Sequence, residues 1–392
     1  MNKFFLVAYM LLASLYLTAQ SGVSAYKFTV VKENPITSIK NQANSGTCWS
    51  FAGVGVLESE LLMKGKGTHD FSEMYIVRRN YEDKAVKYAR LHGNLNFSAG
   101  GSFADVFETL DEYGVIPVSE YKGLEYGEEN HKHGEIDNLL SGYMKAVIAN
   151  KNRSLSPVWF KGFKGILDSY FGEIPTDFIQ NGAKYTPQSY ANSLGLKSDN
   201  YISLSSFTHH DFYTQFPVEV PDNWRWAMSY NLPLDEFIET IDNALMNGYT
   251  VAWATDVSEI GFSRSGIAIV PDIESTENAG SDQSHWLGLS TSEKTNEIRG
   301  KVGREILKEK TITQEARQIA YDNYETTDDH GMQIYGIAKD QQGNKYYMVK
   351  NSWGETGPYK GLWYASEAFL RYKTMSVVIN KNALPKSIAS KL

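Results

Sequence analysis

The chain contains a single cysteine, Cys48. One cysteine can close no internal disulfide, so this thiol is either a small buried hydrophobe or a nucleophile. To attack a carbonyl it has to become a thiolate, and a helix N-terminus beside an imidazolium lowers a thiol's pKa from about 8.5 toward neutrality. His330 can supply that imidazolium. The amide oxygen of Asn351 can hold the ring's other nitrogen and so fix its tautomer and orientation. Gln42, just ahead of Cys48, can set a side-chain N–H beside the backbone N–H of Cys48 and complete a pair of donors for a developing oxyanion. Taken singly, a glutamine before a helix is a surface residue and an asparagine at a strand end is a turn former; the four residues gain their meaning as a set.

Positioning such a set requires particular elements. Residues Cys48–Met63 read as a helix, with Phe51, Val54, Leu57 and Leu61 at spacings of three and four, Lys64 and Lys66 at its negative end, and Gly65 and Gly67 stopping it. Cys48 then falls in the first turn. A second helix is expected over Leu234–Met246, ending at Asn247-Gly248 and followed by a strand over Tyr249–Ala254. Met332–Ala338 and Lys345–Asn351 are aromatic and β-branched runs around a polar turn, Lys339–Asn344, which is a hairpin signal. A turn centred on Asp340–Gly343 would bring His330 and Asn351 to neighbouring strand ends, within the roughly 5–8 Å of direct or diagonal cross-strand neighbours. A last strand is expected over Thr374–Asn380.

With these residues in place, a family resemblance becomes visible. Asn41-Gln42-Ala43-Asn44-Ser45-Gly46-Thr47-Cys48-Trp49-Ser50-Phe51-Ala52 resembles the nucleophile segment of papain-like cysteine peptidases, and Lys350-Asn351-Ser352-Trp353-Gly354 resembles their asparagine segment. Asp329-His330-Gly331 stands where the family's histidine belongs. Gly100-Gly101 resembles the glycine pair whose exposed backbone hydrogen-bonds an extended peptide. The resemblance implies an α+β, papain-like two-lobe fold: a helical lobe around the Cys48 helix and a β-barrel-like lobe around His330 and Asn351. It also implies a peptide or protein substrate lying between the lobes, with Gly100, Gly101, Trp49 and Trp353 counted as substrate-binding. Trp353 is equally suited to shielding the His330–Asn351 bond or to plain core packing. The interval from Cys48 to His330 is roughly twice the about 130–150 residues of papain and the cathepsins, which implies a large, mostly helical insertion at about residues 122–230. Tyr113-Gly114-Val115-Ile116-Pro117 and Pro221-Asp222-Asn223-Trp224 resemble the bleomycin hydrolase/aminopeptidase C branch, whose members carry such insertions and lack a long inhibitory pro-segment. Aminopeptidases of that branch anchor the substrate amine on a C-terminal arm; the lysine-bearing tail Lys381–Leu392 does not resemble one. An aminopeptidase or broad-specificity peptidase, an open-cleft endopeptidase, a transpeptidase-like acyl transferase and a non-catalytic peptide-binding module all remain open readings, as does a homo-oligomer.

The whole-chain figures narrow the field further. At 392 residues, 42% hydrophobic and 21% charged, the chain is of soluble globular type, which excludes disordered, collagen-like and coiled-coil readings. A net charge of −8 gives nucleic acid no basic footprint. Residues 1–25 hold one charge, Lys3, an apolar run Phe4–Leu17 and a small polar stretch, the pattern of a secretory signal peptide cleaved after Ala25 or Ala19, leaving residues 26–392 exported with no membrane anchor. No metal or organic cofactor is expected. His131 and His133 read as a solvated loop, His209-His210 and His285 as structural, and Asp328-Asp329 either as tuning His330 or as a solvated turn.

Overall fold

A computed structural model describes residues 24–151, 153–273 and 289–392. The expected signal segment, apart from Ser24 and Ala25, and His285 lie outside the described residues. The first half of the chain is helical: α1 (Cys48–Met63), α2 (Glu73–Arg90), α3 (Phe103–Tyr113), α4 (Gly134–Ile148), α5 (Trp159–Phe171) and α6 (Pro187–Leu194). Of these, α1 and α2 are the most enclosed. From Trp49 to Leu61 every residue of α1 is buried, the mark of a helix with neighbours on all sides. Two glycines admit those neighbours. A Cβ on Gly53 would stand 2.7 Å from Val106 of α3, and one on Gly55 would stand 2.7 Å from Oε1 of Gln333.

The strands in chain order are β1 (Thr29–Glu33), β2 (Phe178–Gln180), β3 (Ala183–Tyr185), β4 (Tyr201–Ser205), β5 (Gln215–Pro217), β6 (Met228–Asn231), β7 (Val251–Thr255), β8 (Phe262–Ser263), β9 (Ile267–Ala268), β10 (His330–Lys339), β11 (Lys345–Lys350), β12 (Leu362–Ser366) and β13 (Thr374–Asn380). All but the small hairpin β2–β3 join one sheet, in the order β5-β6-β4-β13-β7-β10-β11-β12-β9-β8, with β1 added against β10. Helices α7 (Leu234–Met246), α8 (Thr291–Lys301), α9 (Gln314–Asp322), α10 (Glu367–Lys373) and α11 (Lys386–Ala389) belong to this second half. Two main cores result, one among the helices around α1 to α6 and one on the sheet around Trp253, Phe237 and Phe369. This is the two-lobe α+β arrangement expected.

The segment read as a helical insertion divides in two. Its first part carries α4, α5 and α6, whereas residues 201–231 supply β4, β5 and β6 to the main sheet. His133 also departs from expectation: it is fully buried against Phe171, its backbone N–H donating to the carbonyl of Asn44 at 3.0 Å. Burial lowers its pKa to about 4. The tail Lys381–Leu392 folds into a short turn and α11, with Lys391 paired to Glu236 of α7.

Candidate active site

Cys48 opens α1, and the loop Asn41–Thr47 ahead of it is pinned to the second lobe. The backbone N–H of Gln42 donates to the carbonyl of Ser352 at 2.8 Å, and the Ser352 hydroxyl donates to Oε1 of Gln42 at 2.6 Å. With its oxygen so engaged, the Gln42 amide turns its N–H₂ side to the cleft that it lines with Cys48. The first N–H groups of a helix have no partner within the helix, so the Cys48 amide is free to act beside it.

His330 begins β10. Its partner across the ladder is Thr255 of β7; the ladder with β11 begins only at Gln333 opposite Lys350, so His330 reaches past the end of β11. The side chains nevertheless meet as expected: Nε2–H of His330 donates to Oδ1 of Asn351 at 2.9 Å, and the same oxygen accepts from the Ser352 N–H at 2.7 Å. Next to His330, a Cβ on Gly331 would stand 3.1 Å from Cα of Trp49, so the start of β10 lies directly on the first turn of α1. Cys48 and His330 thereby face one cleft. Trp353 stacks on His330 at 4.8 Å between ring centroids and 29° between planes. The stack covers one face of the imidazole, as shielding of the His330–Asn351 bond requires. Trp49 lies mostly beneath the surface at 2% exposure, its Nε1–H donating to the carbonyl of Ala99 at 3.0 Å beneath the Gly100-Gly101 shelf.

Burial sets the electrostatics. Desolvation pushes the Cys48 thiol up to about 12, against the backbone N–H groups of Gly331 and Trp49 that favour the thiolate and alongside the charges of Asp328 and Asp222 that oppose it. Desolvation likewise takes His330 down to about 4, against the Asn351 bond that favours its charged form. The expected lowering of the thiol by the helix terminus is therefore outweighed, and neither charge is stable here alone. Moving the proton from sulfur to imidazole creates both charges at once, each screening the other, with Asn351 accepting from the imidazolium.

Two carboxylates that the sequence analysis gave no place in the cleft stand along it. Asp222 lies against the glycine shelf, since a Cβ on Gly100 would fall 2.1 Å from its Oδ2, and it accepts from Nδ2 of Asn96 at 3.0 Å. It lines the cleft together with Asp328, which has no hydrogen-bond or ion-pair partner among the described residues. Burial raises the pKa of both, and the neighbouring charges of Asp222 and Asp329 help push Asp328 up to about 8. Asp329 turns elsewhere, accepting from the N–H of Val257 at 2.8 Å.

The cleft thus presents a sulfur nucleophile, a base bonded to an orienting amide, and N–H donors at the place where an oxyanion would form. Fold and site together define a cysteine-type peptidase. The family described as papain family cysteine protease matches residues 25–155, and the Peptidase C1-like family matches residues 280–392, leaving the interval with the extra helices and strands between them. The chain belongs to the papain-like C1 peptidases. It is similar to aminopeptidase C of Streptococcus thermophilus, 22% identical over 88% of this chain and 81% of that one, and to aminopeptidase C of Lactococcus lactis subsp. cremoris, 23% identical over 95% and 87%. The solved structure of pepw from Lactobacillus rhamnosis superposes with a TM-score of 0.67 at 20% identity, covering 93% of this chain and 84% of that one.

The arrangement is suited to one sequence of steps: His330 would take the thiol proton as the Cys48 sulfur attacks a scissile carbonyl, with Gln42 and the Cys48 amide as donors to the oxyanion and the imidazolium returning its proton to the departing amine. Water would then attack the thioester with His330 as base, restoring the thiol.

Proposed function

We propose that this peptidase is an aminopeptidase, removing residues from the free N-termini of peptides, and that it works outside the cytoplasm. The observation that carries the first part is the pair Asp222 and Asp328 in the Cys48 cleft. Asp222 fills the space over Gly100, so a peptide lying along the shelf ends there. A chain that ends against carboxylates ends with its ammonium, since an α-carboxylate would be repelled. Burial and the charge of Asp222 raise Asp328, so the pair gains by taking up a cation such as one ammonium. The names of the similar aminopeptidases C support the same reading. Among the described residues none of Lys381–Leu392 lines the cleft, so the tail supplies no anchor in this arrangement.

The test is digestion of matched free-amine and N-acetylated peptides, read by mass spectrometry, with the unaltered enzyme and with Asp222→Asn and Asp328→Asn. The expected outcome is cleavage of the free set only, with KM for it raised at least about tenfold in each variant, the weight of a charge-assisted bond. Internal cleavage of both sets at equal rates would sink the reading. Export rests on the Lys3 charge followed by the apolar run Phe4–Leu17; mapping the N-terminus of the enzyme recovered outside the cytoplasm should find residue 20 or 26 first, whereas an intact Met1 in the cell extract would reject it.

A further inference from the structure

We propose that His209, His210 and Glu219 form a binding site for a divalent metal of the zinc class, separate from the peptidase centre. The two histidines follow β4 and the glutamate follows β5, so two stretches of chain meet here. Nε2 of His209 lies 2.9 Å from one oxygen of the Glu219 carboxylate, and Nε2 of His210 lies 3.1 Å from the other. One ligand atom from each residue falls within 4.8 Å of the others; a tetrahedral ion with N and O ligands at about 2.0–2.2 Å holds them about 3.5 Å apart, so the set closes by about an ångström around it.

The imidazoles are aimed, not merely near. His209 stacks on Tyr321 at 5.5 Å with 9° between planes, and His210 stacks on Phe216 at 4.4 Å with 28°. Nδ1 of His209 faces the side-chain amide of Gln318, 3.3 Å from Oε1 and 3.0 Å from Nε2. With the proton on Nδ1 donated to Oε1, Nε2 presents its lone pair to the ion, the arrangement that outer-shell carbonyls impose on metal-bound histidines. Gln318 is itself held, its Oε1 accepting from the Thr208 N–H at 2.6 Å and its Nε2 donating to Asp322 at 2.9 Å. Two imidazoles and one carboxylate suit Zn²⁺, Ni²⁺ or Cu²⁺ and not the all-oxygen preference of Ca²⁺ or Mg²⁺. Three protein donors leave the fourth position to water.

Place gives the site a consequence. Val218 and Val220, on either side of Glu219, line the peptidase cleft with Asp222, and the Tyr321 hydroxyl donates to the Glu219 carbonyl at 2.8 Å. An ion bridging Glu219 to His209 and His210 would clasp the outer side of the cleft wall and stiffen it.

The test uses the full chain with Cys48→Ser, because a thiol beside an imidazole also takes up zinc. After chelator treatment and dialysis, ZnCl₂ is titrated in by calorimetry, and CoCl₂ is added separately and followed by visible absorption. The expected result is one equivalent bound, a rise in Tm and a four-coordinate cobalt spectrum. His210→Ala and Glu219→Gln, each added to Cys48→Ser, should weaken zinc binding at least about tenfold, with their metal-free Tm showing that they fold. No uptake up to millimolar zinc, or uptake unchanged in both variants, would overturn the proposal.

Discussion

His330 is held on three sides: by the Asn351 oxygen at Nε2, by the Trp353 ring across its face, and by Gly331, which anchors its backbone on the first turn of α1. This enclosure makes its protonation costly, and the sign of the pH effect follows. A lone imidazolium is disfavoured, so acid has to reach about pH 4 before His330 takes a proton that Cys48 has not released. A lone thiolate is equally disfavoured, since Cys48 is pushed up to about 12. Between these limits the two groups share one proton, wherever it sits, and that is the state from which attack proceeds. On its acid side, kcat/KM should therefore stay level as pH falls from 7 to about 5 and drop near 4. Asn351→Ala removes the acceptor that favours the imidazolium, so the drop should move lower still while kcat falls by about 10–100-fold, the worth of a hydrogen bond to a charged group. A pH–rate profile of both proteins checks this; an acid limb near 6.5, the ordinary value for histidine, would mean that water reaches His330 freely.

The elements that carry Cys48 and His330 were legible because each is locally encoded. The bounds of α1 and α7 match the expected helices, and β10 and β11 enclose the expected turn. Their junction is also built from readable residues, although only the fold shows its bonds. Nε2 of Gln333 on β10 donates to the Gly55 carbonyl at 3.0 Å, the Ser59 hydroxyl at 2.8 Å and the Thr250 hydroxyl at 3.0 Å, tying α1 to the sheet. What sequence reading missed depends on distance along the chain. The β4 strand pairs with β13 from the far end and, in parallel, with the short β6, so neither hairpin turn nor strong period marks it. The bulge between Ile334 and Gly336 shifts the hairpin register by one residue, and His330 lies beyond the end of β11, yet its side chain still meets Asn351. Asp222 was quoted only for its resemblance to a family segment, since nothing nearby in sequence says that it returns to Gly100. The burial of His133 was hidden by its charged neighbours, which point to solvent while the imidazole does not.

At the scale of the whole molecule, the stretch bearing Asp222 crosses from the sheet to the helical lobe, and Arg225 fastens it there. Nε of Arg225 donates to Asp105 at 2.6 Å, Nη2 to Asp83 at 2.8 Å, and Nη1 pairs with Glu108 at 3.2 Å, while Nε1–H of Trp224 donates to Asp105 at 3.2 Å. Asp105 is fully buried, so this is an ion pair whose loss leaves a stranded charge, worth about 3–5 kcal/mol where such pairs have been broken. Arg225→Ala therefore threatens the fold itself. Arg225→Lys keeps a cation for Asp105 but lacks the planar fork that reaches Asp83 and Glu108 at the same time. The wall that presses Asp222 onto Gly100 should then loosen while Cys48, His330 and Asn351, on other elements, keep their places. The expected outcome is a shift in specificity and not in chemistry: kcat/KM for N-acetylated peptides rises at least about fivefold relative to free-amine peptides, the equivalent of about 1 kcal/mol, and Cys48 reacts with iodoacetamide at an unchanged rate. An unchanged ratio of the two substrates in a folded Arg225→Lys enzyme would show that the wall does not set where the peptide ends, and would move the origin of selectivity away from this crossing segment.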